Sequence, residues 1–75
     1  MTPPDLAQAQ MSSEVFLRLP QVRALTGLSR PTIYRRMALQ TFPQQLALTQ
    51  HMVVWLESEV RAWMTEQVAR CRGAS

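Results

Sequence analysis

Residues 27–37 read Gly27-Leu28-Ser29-Arg30-Pro31-Thr32-Ile33-Tyr34-Arg35-Arg36-Met37, and they decide the fold because one helix ends and another begins inside them. Gly27 is free to take the left-handed conformation that closes a helix, with Leu28 folding back as the apolar contact that accompanies such a stop. Ser29 follows as an N-cap, and Pro31 is tolerated in the first turn because the early amides of a helix have no intrahelical partner. On the new helix Ile33 and Met37 are four apart and share one face. Pro31 and Arg35 point the opposite way, with Thr32 and Arg36 on the flanks. One face packs; the other presents arginine.

Upstream, Leu19-Pro20, then Val22 and Leu25 three residues apart, predict a short helix that Gly27 ends. Leu19 stands where a capping side chain would be preferred, and it cannot supply one. Downstream of Phe42-Pro43 the periodicity changes. Leu46-Ala47-Leu48, a turn over Thr49-Gln50-His51, and Met52-Val53-Val54-Trp55 predict a β-hairpin, although the turn lacks the Asn-Gly signature of the strongest hairpins. Helical spacing returns from Glu57 to about Arg70, with Val60, Trp63, Met64, Gln67 and Val68 on one stripe, acids at the start and arginines at the end. The chain therefore divides into a flexible N-terminal lead-in (1–14), one domain (15–70) and a C-terminal tail (71–75). Helix, tight turn, helix, hairpin, helix is mainly α with a small β-hairpin, the order of a winged helix-turn-helix.

The 75 residues allow one domain, which at this size buries about 60% of its unfolded surface and leaves little room for an enzyme cleft. Apolar residues are 47% and charged residues 17% of the chain, a balance that favours a folded globule over disorder. The net charge of +3 comes from arginine alone, since the sequence contains no lysine. Guanidinium forks grip phosphate and the guanine edge bidentately, so this choice favours a nucleic-acid partner. No stretch approaches the length of a bilayer span and no secretory leader is evident, which predicts a cytoplasmic location. Cys71 is the one cysteine, and it has neither a disulfide partner nor the neighbours of a zinc site. Glu57 and Glu59, two apart on a helix, do not face each other as an acid and base would, and no nucleophile has a base. With no Gly-rich phosphate loop and one histidine, no enzyme, cofactor or metal is expected.

The candidate site is therefore the outward face of the second helix. The run Ser29-Arg30-Pro31-Thr32 puts free amides at the positive end of that helix, where they suit phosphate, while Arg30, Arg35 and Arg36 reach outward to bases. Three arginines on one helix are also what a plain solvated face looks like, and it is the turn before them that favours binding. Tyr34 either hydrogen-bonds a phosphate or packs half-buried. His51, at the hairpin tip, either touches DNA or serves nothing specific. Trp55, Trp63 and the methionines read as core, since a small domain needs large apolar side chains.

Taken together, Arg18-Leu19-Pro20, Gly27-Leu28-Ser29-Arg30, Thr32-Ile33-Tyr34-Arg35, Phe42-Pro43, and Trp55 followed by Ser58-Glu59-Val60 and Ala62-Trp63 resemble the AlpA family of phage and prophage regulators. The resemblance spans nearly all of Phe16 to Met64. It implies a MerR-like winged helix related to excisionases, with a recognition helix at Ser29–Met37 and a wing at Leu46–Trp55. It further implies a double-stranded DNA partner, and a role in transcription regulation or in directing site-specific recombination. Self-association on repeated sites and an integrase partner are the assemblies expected with such a role. The chain departs from the family in three places: its wing carries Gln44, Gln45, Ala47 and Gln50 where basic residues are common, Gln40 stands where a glycine usually ends the recognition helix, and Pro31 replaces a small polar residue. The alternative is a module of the same fold that binds an integrase, a repressor or its own copy without gripping DNA.

Overall fold

A strand that the periodicity did not announce opens the domain. In the computed structural model, which describes residues 14–73, β1 (Phe16–Leu17) pairs antiparallel with β3 (Met52–Leu56), placing Phe16 opposite Leu56 and Leu17 opposite Trp55. Two residues are too few to show a period of two, and only the partner strand makes them a strand. Next come α1 (Leu19–Thr26) and α2 (Arg30–Ala38), then β2 (Leu46–Thr49), β3 and α3 (Glu57–Gly73). The sheet order is β1-β3-β2, so β3 is central and the expected hairpin is the β2–β3 pair. Three helices and this small antiparallel sheet make a winged helix-turn-helix.

The caps account for most of the boundaries. Arg18, not Leu19, is the N-cap of α1, and its amide donates to Gln21 Oε1 at 2.8 Å. The glutamine three residues in thus supplies the acceptor that Leu19 could not. Gly27 ends α1 at φ 77°, donating to Arg23 O at 2.8 Å, as the glycine stop requires. Leu28 is half-buried against the core, and its amide donates to Thr26 Oγ1 at 3.2 Å.

The hairpin turn is Gln50-His51, with Thr49 opposite Met52. Neither turn residue has a positive φ, so the turn is not one of the primed types that match strand twist. The mismatch accompanies an irregularity between Ala47 and Thr49, and Thr49 Oγ1 steadies the tip by accepting from the His51 amide at 3.1 Å. At the next junction β3 runs straight into α3. The Glu57 amide donates to Val15 O at 2.8 Å and the Ser58 amide to Glu14 Oε2 at 3.3 Å. Glu14, assigned by its sequence to the lead-in, therefore caps the last helix, while the remainder of that lead-in (1–13) lies outside the described residues.

α3 also runs past Arg70 through Cys71, Arg72 and Gly73, which were expected in the tail. Nothing in those residues breaks a helix until glycine, whose interior cost is only about 1 kcal/mol. Residues 74–75 of that tail lie outside the described residues.

The core consists of Leu17, Val22, Ile33, Met37, Phe42, Trp55 and Val60, one or two from each element except β2 and one from the α2–β2 connection. Trp55, Ile33, Val22 and Val60 are fully buried. β3 contacts β1, β2, α1 and α3, which makes it the strut to which those four elements attach. The predicted stripe of α3 holds in its first half: Val60 is buried and Trp63 and Met64 are half-buried, but Val68 is 48% exposed.

Candidate nucleic-acid interface

Ile33 and Met37, both buried, fix how α2 sits and so decide which of its residues face out. Arg30, Pro31 and Arg35 are exposed; Thr32, Tyr34 and Arg36 are half-buried on the two flanks. The three arginines that sequence placed together have three different surroundings. Arg30 lies with Cζ 4.9 Å from the centroid of the Tyr34 ring. The side chain of Arg35, opposite the buried face, has no hydrogen-bond or ion-pair partner among the described residues. Arg36 leans the other way, toward α3, with Cζ 6.0 Å from the Trp63 ring centroid. Its Nε is buried without a hydrogen-bond partner.

The start of α2 is less open than its sequence promised. Ser29 Oγ accepts from the Thr32 amide at 3.4 Å and donates to Thr32 Oγ1 at 3.0 Å. Pro31 has no N–H, and the Ile33 amide already donates to Ser29 O at 3.0 Å. The amides left for a ligand are those of Ser29 and Arg30. Beside them the sequence reading passed over Arg23, which lines a shallow depression with Pro20, Ala24, Gly27, Leu28 and Ser29. Its signal was its place in the last turn of α1, four residues before the glycine stop.

The far end of α2 is closed by its own backbone. Gln40 takes φ 60°, donates to Met37 O at 3.0 Å, and is followed by Thr41 donating to Arg36 O at 2.8 Å. Those two bonds make the Schellman pattern, with Gln40 in the left-handed position where glycine is usual. Both tryptophans then tie down the segment leading to the wing: Trp63 Nε1 donates to Thr41 O at 2.8 Å and Trp55 Nε1 to Pro43 O at 3.2 Å. The Trp63 ring also meets Phe42 edge-on, with centroids 4.8 Å apart. Gln44 Nε2 adds bonds to Met37 O at 3.0 Å and Phe42 O at 3.3 Å. Beyond their place in the packing, the two indoles therefore tie the α2–β2 connection to β3 and α3.

His51 is exposed at the tip of the hairpin, and nothing in the geometry joins it to α2. From Met37 to Leu56 the chain contains no Asp, Glu, Lys or Arg. The wing and its approach therefore offer no arginine to phosphate, whereas α2 carries Arg30, Arg35 and Arg36 and the neighbouring α1 carries Arg23. No helix among the described residues is long and apolar enough to cross a membrane.

A glycine-stopped helix, a serine-capped helix with exposed arginines, and a hairpin pinned behind them define a winged helix-turn-helix protein. The family described as prophage CP4-57 regulatory protein (AlpA) matches residues 15–70, and the chain belongs to that family. It is 48% identical over 71 residues to a phage P4 protein, the uncharacterized protein ORF88, covering 93% of this chain and 75% of that one. It is 36% identical over 63 residues to the DNA-binding transcriptional activator AlpA of Escherichia coli K12, covering 76% of this chain and 86% of that one.

Proposed function

We propose that the chain is a sequence-specific regulator that binds double-stranded DNA of a phage or other mobile element, with α2 in the major groove. The observation that carries this reading is the exposure of Arg30 at the start of α2 and of Arg35 opposite the face that Ile33 and Met37 commit to the core. A helix held at both ends, cationic outward and apolar inward, is the shape a groove accepts. Ser29, Pro31 and Thr32 approach the backbone at the helix start, Arg35 meets phosphate or a base from the middle of the outward face, and Arg36 adds positive charge from its seat on Trp63. His51 reaches the duplex from the hairpin tip.

The naming of a relative as a DNA-binding transcriptional activator supports regulation of transcription. The same contact serves an excisionase-like factor that sets the direction of recombination, with an integrase beside it. A single module of this kind buries only about 600–1,000 Å², so several copies on repeated sites are the form in which it binds tightly. Such a protein works in the cytoplasm, on the nucleoid.

A second reading is favoured by the uncharged run from Met37 to Leu56: a protein-interaction module that engages an integrase, a repressor or itself. Arg35→Ala separates the two. In the DNA-binding reading it lowers affinity for the best selected duplex by about 1–3 kcal/mol with an unchanged melting temperature. In the interaction reading the wild type does not retain duplex DNA, and the substitution changes nothing.

A further inference from the structure

The three arginines of α2 differ in how firmly each is held, and a base reader needs to be held. Bidentate recognition of guanine requires a planar guanidinium presented at a fixed orientation, and an arginine stacked on an aromatic ring loses less freedom on binding than one that rotates in solvent. Arg30 is stacked in this way, 4.9 Å from the Tyr34 centroid and one helical turn before it. The ring beneath is itself fixed from two sides. Tyr34 meets the fully buried Trp55 edge-on, with centroids 6.3 Å apart and planes at 74°. Its hydroxyl donates to Gln45 Oε1 at 3.4 Å, in the segment that leads to the wing. Trp55 in turn is anchored on Pro43 O. The order of support runs from the core outward, Trp55 to Tyr34 to Arg30. Arg35 has no such backing, and Arg36 is turned away onto Trp63.

Arg30 is also the first residue of α2, and it is the N-terminal residues of a recognition helix that meet base edges. We propose that Tyr34 is a positioning residue for specificity: without touching DNA, it holds the Arg30 guanidinium in the plane that reads a guanine. Arg35 then contributes affinity with little base preference. This inference rests on the DNA-binding reading above.

The test is selection of bound sequences from a pool of randomised duplexes, with wild type, Arg30→Ala, Tyr34→Phe, Tyr34→Leu and Tyr34→Met, each checked for folding by thermal unfolding. Arg30→Ala is expected to erase the preference for one guanine in the selected motif. Tyr34→Leu and Tyr34→Met are expected to lower discrimination at that same position by about tenfold, the size of one bidentate contact, while other positions keep their preference. Tyr34→Phe keeps the ring and is expected to keep the guanine. In the Arg30→Ala background, Tyr34→Leu should change discrimination no further. The inference is overturned if folded Tyr34→Leu or Tyr34→Met selects the wild-type motif, or if Tyr34→Phe loses the guanine as fully as they do. If wild type enriches no sequence, the DNA-binding reading falls and this one with it.

Discussion

Gln40 and Gly27 hold the same backbone conformation at the ends of consecutive helices, with φ of 60° and 77°, but only one of them is a glycine. A side chain in the left-handed region costs about 1–2 kcal/mol, which glycine avoids at an entropic cost of about 0.5–1 kcal/mol in the unfolded chain. Gln40→Gly should therefore stabilise the protein by about 0.5–1 kcal/mol and raise Tm by a few degrees; a lower Tm would mean the glutamine side chain has a compensating contact. Gly27→Ala should do the reverse and cost about 1 kcal/mol. A Cβ at Gly27 meets no atom within 4 Å, so any loss seen on thermal unfolding comes from the backbone and not from crowding. The Gly27 stop was legible in the chain itself, and the place of Gln40 only through the resemblance to the family. That Gln40 pays the strain of a missing glycine follows only from its φ.

At the scale of elements, α2 is fixed by a cap at its start and by Trp63 near its end. Ser29→Ala removes the side-chain acceptor of the Thr32 amide and should cost about 1 kcal/mol by urea unfolding. Trp63→Phe keeps an aromatic edge toward Phe42 but loses the bond to Thr41 O, and should also cost about 1 kcal/mol. An unfolding curve identical to wild type would show that the indole bond is matched by water. The glycine stop, the serine cap and the Ile33–Met37 face were readable because each rests on neighbours within one or two turns. β1 was not, because a two-residue strand exists only through β3, forty residues on. Likewise Glu14 caps α3 from the other end of the domain, a contact no local pattern carries.

For the whole molecule, the distribution of charge matters more than its sum of +3. With a neutral stretch from Met37 to Leu56, few phosphates can be neutralised, and log affinity for a duplex should fall against log salt with a slope of about −3 to −5. An affinity indifferent to salt would reject the proposed DNA contact outright. The sequence by itself determined the order of the three helices and the hairpin, the helix-turn-helix at Gly27–Met37 and the family, because those depend on caps, glycine stops and apolar spacing that act between near neighbours. Only the tertiary structure decided what each arginine on α2 does: Arg30 is stacked on Tyr34, Arg35 is unpartnered, and Arg36 is drawn to Trp63. Helical spacing alone spreads the three around the helix axis and says nothing of what each meets. The ring under Arg30 lies on α2 itself, but the Trp55 that meets Tyr34 comes from β3 and the Trp63 beside Arg36 from α3, elements that reach α2 only when the chain has folded.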